Sequence, residues 1–409
     1  MKTAVAITGI GLISPLGNQV ETVFSRLMAG ESGIRLLDAE VTGCKPAVVG
    51  AADFDPAPWF TRLQLSGVDR VSQMAVAAAT LALDDAALTL PAEREQVGVY
   101  VGCAMGGSTA LDKGFHNFYA EKSRVSPLSV IASMANAPAG HISMRFGITG
   151  PSVNYSVACA SSAIALGEAM RAIRHGEITH AIAGGAEAML LPGIINAWQS
   201  MQVLASTAGE HPEQACRPYD KERSGLVLAE GAAFLILEGL DAALARGARI
   251  YATLDGYACR SDATHITKPD VGGQVRTMRA ALADAGLSAG QIGYCNSHGT
   301  ATQVGDVVEC QALQSIWGED TPGLQVSATK SMHGHLLGAT GGLETAITAL
   351  ALYHQQVPPT ANCRQPDENC RVQHVLGKGV AAPDLQAAIS NSFAFGGSNA
   401  SLVLQRHQA

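Results

Sequence analysis

Charge is scarce in this sequence: Asp, Glu, Lys and Arg together make up 15% of 409 residues. Acids outnumber bases, 35 to 27, leaving a net charge of −8. A chain of that balance lacks the basic surface a general nucleic-acid binder needs to displace counterions, although a local basic patch for an acidic protein partner is compatible with it. No C-x-x-C pair occurs among the nine cysteines, at 44, 103, 159, 216, 259, 295, 310, 363 and 370. The odd count and the spacing point away from a zinc site and from a disulfide framework. Most of these thiols are expected to be small buried hydrophobes in a reducing compartment. No uncharged apolar run is long enough to span a bilayer. The opening MKTAVAITGIGLISPLG imitates a leader but has no A-x-A cleavage pattern; its β-branched residues predict a buried strand entering a turn at Gly9 and Gly11. That glycine pair also lacks the third glycine and the downstream acid of a dinucleotide fingerprint. A soluble, cytoplasmic protein is the expectation.

What the chain does contain is glycine, 44 of them, in a composition that is 47% hydrophobic and ordinary for a globular protein. Its length suits a large core or two similar halves. Strand-like and helix-like segments alternate, which predicts an α/β architecture. SVNYSVAC reads as a buried strand, and ASSAIALGEAMRAIRHG as a helix stopped by Gly176. THAIAGGAEAML and GAAFLILEGL follow as strands. A second series begins near Ile250: strand RIYATLDGYACRSD, helix QVRTMRAALADAGL, strand IGYCNSHG, helix VVECQALQSIWG and strand LQVSATK. A helix from about Leu336 to His354 comes next, then strands AAISNSF and ASLVLQ flanking the turn FAFGGSN. The two rounds occupy roughly 1–250 and 251–409. No low-complexity linker divides them, so one packed body is expected.

Cys159 falls where a strand meets the following helix, a place where free N–H groups and the helix dipole favour a thiolate. Its neighbours Ala158, Ala160, Ser161 and Ser162 are small enough for a substrate to approach. A lone cysteine before a helix is a weak motif, and its company is what singles it out. His298 lies in NSHGTAT directly after a strand, and His335 lies in SATKSMHGH after another. The turn FAFGGSN adds a fourth strand-end loop whose N–H groups suit an oxyanion. Open α/β sheets place their chemistry at such strand ends.

These segments resemble the β-ketoacyl-acyl-carrier-protein synthases, above all the elongating type II enzymes and the type II polyketide ketosynthases. The resemblance runs from VAITGIGLISPLG to FAFGGSNASLVL, and its most specific parts are VACASSAIALGEA, AGGAEAM, NSHGTATQVGDVVE, SATKSMHGHLLGATGG, VPPTAN and SNSFAFGGSN. It implies the thiolase fold, two similar halves forming a five-layer α-β-α-β-α body, usually dimeric. It further implies that Cys159 accepts the acyl group and that His298 and His335 are its catalytic partners. Lys330 and Glu344 match the supporting charged pair. Phe395 matches the gating residue, its N–H joining that of Cys159 in an oxyanion hole. Thr300 and Thr302 match the hydroxyls that hold the phosphopantetheine arm. Asn296, Glu309 and Asn391 match a structural cation site of some members. The implied reaction is decarboxylative condensation of a malonyl carrier thioester with the acyl-Cys159, without a metal or organic cofactor. The implied partners are an acyl carrier protein and a second copy or a related chain-length-factor subunit.

Three relatives of that fold compete. A thiolase would carry a second cysteine in the C-terminal loop, where Phe395 stands here, and starter-type enzymes replace the second His with Asn. A chain-length factor would lack the active cysteine. Some positions depart from the common elongating pattern. FTRLQLSGVDR retains only Arg62 and Arg70 of a usually more basic carrier-docking stretch, and Gln202 stands where Arg is usual. Either carrier docking is weakened or other cations compensate in space. Met105 matches the base of the acyl pocket, and Ser129 falls where a bulky aromatic is common. That exchange suggests room for a longer or stiffer chain, as in a specialised polyketide or polyene pathway. Chain length, cognate carrier and pathway lie outside these motifs.

Overall fold

Strand β1 (Val5–Ile13) is buried at all nine positions, as its unbroken run of Val, Ile and Leu requires of a strand covered on both faces. Helix α1 (Arg70–Asp85) lies against it and is rich in alanine along VAAATLA. The contact is closer than side chains permit. A Cβ on Gly11 would stand 2.0 Å from the Ala78 carbonyl oxygen, and one on Gly9 would stand 2.3 Å from that of Ala82. The expectation that these glycines mark a turn is therefore corrected: the strand continues through both, and they let a helix backbone touch its face. The computed structural model describes residues 3–43, 45–206 and 211–408; Cys44 lies outside them.

After α1 the chain forms β2 (Val97–Gly102), α2 (Ala137–Phe146), β3 (Ser152–Tyr155), α3 (Ser161–Arg174), β4 (His180–Glu187) and β5 (Gly231–Gly239). The same succession then recurs as β6 (Ala252–Ser261), α4 (Val271–Ala285), β7 (Tyr294–Asn296), α5 (Gly305–Trp317), β8 (Gln325–Ser327), α6 (Thr340–His354), β9 (Ala387–Phe393) and β10 (Ser398–Gln405). These ten strands join one ladder in the order β8-β7-β9-β10-β6-β1-β5-β4-β2-β3, and five further short strands form two small separate sheets. From the centre outward, each half runs first, fifth, fourth, second, third. The pairings repeat as well. β1/β5 and β5/β4 are antiparallel and β4/β2 and β2/β3 parallel, matched by β6/β10, β10/β9, β9/β7 and β7/β8. The halves meet where Val5–Ile7 of β1 pair with Ala252–Leu254 of β6.

The ladder is folded over two helices. α3 packs on β2 and β4 and also on β6 and β10, while α6 packs on β9 and on β4 and β5. α6 is buried from Thr340 to Leu352, as a helix enclosed on every side must be. α1 and α2 cover the outer face of the first half, and α4, with α5 packed beside it, that of the second. The result is five layers, α-β-α-β-α.

Two sequence expectations change in detail. β3 is exposed or half-buried at each position, because it ends the ladder and has a pairing partner on one side only. The helix expected from Leu336 begins at Thr340, after a 3-10 turn at Leu337–Ala339. All eight described cysteines are free; seven are buried and Cys259 is half-buried. No described helix is long and apolar enough to cross a membrane.

Candidate active site

Both central helices begin with the same strained step. A 3-10 turn at Ala158–Ala160 precedes α3, and the turn at Leu337–Ala339 precedes α6. Their first residues, Ala158 and Leu337, hold left-handed φ values of 44° and 41°, unusual for side chains with a Cβ. The first of these turns presents Cys159, and Ser161 stabilises it by donating to the Ala158 carbonyl at 2.7 Å. His335 sits just ahead of the second turn. Its backbone is braced on both sides, its N–H donating to Val227 O and its carbonyl accepting from Ala229 N. The two residues therefore meet through the shared architecture of the halves. His335 Nε2 lies 3.0 Å from Cys159 Sγ, and its Nδ1 lies 2.9 Å from the Thr340 hydroxyl.

His298 enters from the loop after β7. Its ring stands edge-on to His335 with centroids 5.4 Å apart, and the Cys159 sulfur and one nitrogen of each ring all lie within 4.8 Å of one another. Glu309, on α5, fixes this loop by accepting the N–H groups of His298 and Gly299, both at 2.8 Å, and the Tyr219 hydroxyl at 3.1 Å. Lys330 is fully buried behind the site. Its ammonium has three donors and three acceptors are in place: the His298 carbonyl, Glu344 Oε1 at 2.7 Å and His298 Nδ1 at 3.4 Å. Because an ammonium only donates, Nδ1 of His298 must accept. The proton of the neutral ring then sits on Nε2, facing the cavity. Lys330 and Glu344 thus set the tautomer of His298 from behind.

The electrostatics differ from the simple helix-dipole expectation. Burial pushes the Cys159 thiol up to about 11, although the charge of Lys330 and the N–H groups of Phe395 and Cys159 itself pull the other way. Burial and Lys330 hold both His298 and His335 well below the ordinary imidazole range. The resting centre is therefore a neutral thiol beside two neutral imidazoles. Burial also raises Glu344 to about 7, opposed by Lys330. His333, two residues before His335, is pulled down to about 3 by burial; it bonds Thr329 and Gly334 and does not reach the cavity.

A cavity of about 520 Å³ opens onto Cys159, His298 and His335 and is lined by Phe395, Thr300 and Thr302. Thr300 and Thr302 hydroxyls lie 3.0 Å apart. The N–H groups of Phe395 and Cys159 face the sulfur. Gln202 and the exposed Lys268 also line the cavity. Arg70, expected on the carrier-docking stretch, is instead committed to Glu230 in a two-pronged ion pair at 2.7 and 2.9 Å; Arg62 is exposed. Met105 and Ser129 do not line this cavity. Met105 is held by its N–H to buried Glu187, and Ser129 starts the short helix Ser129–Ser133. Asn296, Glu309 and Asn391 each have protein partners: Asn296 accepts from Thr329, Asn391 from Ser401, and Glu309 from the three donors above. That donor set fits internal framework better than a cation, and no chemical step below passes through one.

Three contributors escaped the sequence. Arg223, 2% exposed, donates to Thr302 O, Gln303 O and Asp367, so it shapes the Thr300–Gln303 turn from 79 positions away. Glu187 binds Ala104, Met105 and Gly338 N–H groups and so joins the two halves beside the site. Trp198 lines the cavity against Phe395. Arg223 and Trp198 carry no local pattern that would have marked them, while Glu187 lies in AGGAEAM, a motif of the resemblance to which no role was attached.

A duplicated α/β body with a Cys–His–His centre at its strand ends defines a thiolase-fold condensing enzyme. The chain belongs to the β-ketoacyl synthase family: residues 2–243 match its N-terminal domain and residues 251–364 its C-terminal domain. It is 38% identical to 3-oxoacyl-[acyl-carrier-protein] synthase 2 of Vibrio cholerae serotype O1, over 99% of each chain. Among solved structures it is similar to the ishigamide ketosynthase/chain length factor, with TM-score 0.92 and 33% identity over the full length of both chains. It is likewise similar to AntDE:AntF, a type II polyketide acyl-carrier protein in complex with its ketosynthase, with TM-score 0.92 and 29% identity over the full length of both chains.

Proposed function

We propose that Cys159 takes an acyl group from a carrier thioester and that the enzyme condenses it with a malonyl group on the same kind of carrier. The placement of His335 Nε2 at 3.0 Å from Cys159 Sγ, with His298 beside both, carries this reading. In the first half-reaction the thioester oxygen points at the N–H groups of Cys159 and Phe395. Sulfur attacks the carbonyl, its proton passes through His335 to the departing pantetheine sulfur, and the acyl group remains on Cys159. A neutral thiol whose proton leaves as the bond forms suits the buried, uncharged resting state. In the second half-reaction the malonyl carboxylate departs as CO2 and its bonding electrons form an enolate. His298 Nε2–H, oriented through Lys330, donates to the enolate oxygen, and His335 donates to it from Nε2 in the tautomer whose Nδ1 accepts from the Thr340 hydroxyl. The enolate carbon attacks the acyl-Cys159 carbonyl, sulfur leaves as the thiolate and takes up a solvent proton relayed by His335, and a β-ketoacyl carrier is released.

Thr300 and Thr302 line the route for the pantetheine arm, and Lys268 offers a cation to the acidic carrier beyond it. The relative AntDE:AntF is a carrier–ketosynthase complex, which supports a carrier as the partner here. The reaction needs no cofactor, and a cytoplasmic setting suits the free thiols. Exposed apolar side chains on neighbouring elements, including Phe115, Phe118, Ile131 and Met134, suit cover by a second copy or a chain-length-factor-like subunit. That cover would also enclose Met105 and Ser129, completing an acyl pocket for a fatty or a specialised polyketide chain.

Intact-mass spectrometry after exposure to a panel of acyl carriers tests the reading. Wild type should gain one acyl mass, and Cys159→Ala none. A wild type that gains no acyl mass from any carrier overturns it, as does an alanine variant acylated at full stoichiometry.

A further inference from the structure

Trp198 belongs to the helix Pro192–Ser200 and packs against the main hydrophobic core. Its indole lies nearly parallel to the Phe395 ring, with 18° between planes and 6.0 Å between centroids, an offset stack. Both rings line the cavity that opens on Cys159. The loop bearing Phe395 turns through Gly396 and Gly397, with φ values of 87° and 75°. Its backbone bonds, Ala394 N–H to Ser398 O, Gly397 N–H to Ala394 O, Asp262 N–H to Gly397 O and Gly396 N–H to Ile266 O at 2.7 Å, flank Phe395 without including it. Ile266 itself is exposed, so that tie is to a surface loop. The Phe395 N–H, which faces the sulfur, thus depends on where its ring is seated.

We propose that Trp198 is a positioning residue that seats the Phe395 ring and so holds the Phe395 N–H in the oxyanion hole. The inference rests on the condensing function above and adds a residue to it. Stacking of this kind shifts a two-state loop by roughly three- to tenfold. Loss of the seat has opposite effects on two reactions at one sulfur. A small electrophile does not use the oxyanion hole and gains access from a released loop, while Lys330, the largest of the groups that favour the thiolate, stays in place. Acyl transfer needs the N–H, which a released loop withdraws.

The test compares Trp198→Ala, Trp198→Leu and Trp198→Phe with wild type. Each is measured for Cys159 alkylation by iodoacetamide and for acyl transfer from an acyl carrier, both followed by intact mass. Expected for Ala and Leu are alkylation roughly three- to tenfold faster and a kcat for acyl transfer lower by a similar factor, with KM changed less; Phe should stay within about twofold of wild type in both. Leu keeps the bulk without the aromatic face, so a Leu variant matching wild type in both assays overturns the proposal. Parallel loss of both rates in Leu, with Phe equally impaired, also overturns it, since that is the mark of general misfolding. If wild type is alkylated at Cys159 but never acylated, the condensing function fails instead, and the alkylation ratios still decide the role of Trp198.

Discussion

Cys159 occupies a helix start and yet holds its proton, because removing water from a sulfur anion costs more than the dipole and Lys330 return. The consequence is measurable. The thiolate is the reactive form, and its fraction grows about tenfold per pH unit while the pH stays well below the thiol pKa. With that pKa near 11, alkylation of Cys159 by iodoacetamide should keep accelerating about tenfold per unit from pH 7 to pH 10. A rate that levels off below pH 9 would show a thiolate already formed. The neutral imidazoles add a second expectation at this scale. His298 and His335 are held well below their ordinary range, so acyl transfer to Cys159 should show no inflection from either ring between pH 6.5 and 8. An imidazole resonance of either ring that titrates by NMR between pH 6.5 and 8 would contradict it, whereas Glu344, raised to about 7, can itself place an acid limb there.

At the level of elements, the site depends on how closely helices approach strands. Gly11 and Gly9 admit the α1 backbone to β1, and in the second half Gly256 of β6 does the same for α4, where a Cβ would stand 2.3 Å from Ala281 O. Gly11→Ala should therefore cost more than about 2 kcal/mol, since it forces strand and helix apart in a dense core. Urea unfolding checks this; a loss below about 0.5 kcal/mol would mean the layer spacing adjusts freely. The strand-and-helix alternation behind this packing was legible from periodicity. The register of the repeat was not. Its evidence is a shared strand order and the matched left-handed residues Ala158 and Leu337, and neither leaves matching letters in the two halves. The misjudged burial of β3 has the same origin: SVNYSVAC has the composition of a core strand, and only its place at the end of the ladder exposes it.

For the whole molecule, the unpaired edge of β3 and the apolar side chains beside it form the surface most in need of cover. Phe118 is 57% exposed, Ile131 60% and Met144 71%, an arrangement that monomers rarely tolerate. Wild-type protein should sediment at about twice its 42.2 kDa, and Val153→Asp on the open strand should shift it toward the single-chain mass. A wild type that sediments as one chain would show that the face needs no second copy.

Local sequence determined the chemistry-bearing loops. Cys159, His298, His335, Lys330, Glu344 and Phe395 each lie in a short pattern at a strand end or helix start, where composition and backbone geometry are coupled over a few residues. Resemblance, more than local pattern, separated His335 from His333, and the structure gives the physical distinction, since His333 spends both ring nitrogens on Thr329 and Gly334. Tertiary structure alone decided the tautomer of His298, the neutrality of the thiol, the commitment of Arg70 to Glu230 and the seat of Phe395 on Trp198. Each of those depends on burial or on a partner far away along the chain, quantities that packing creates and a linear pattern does not contain.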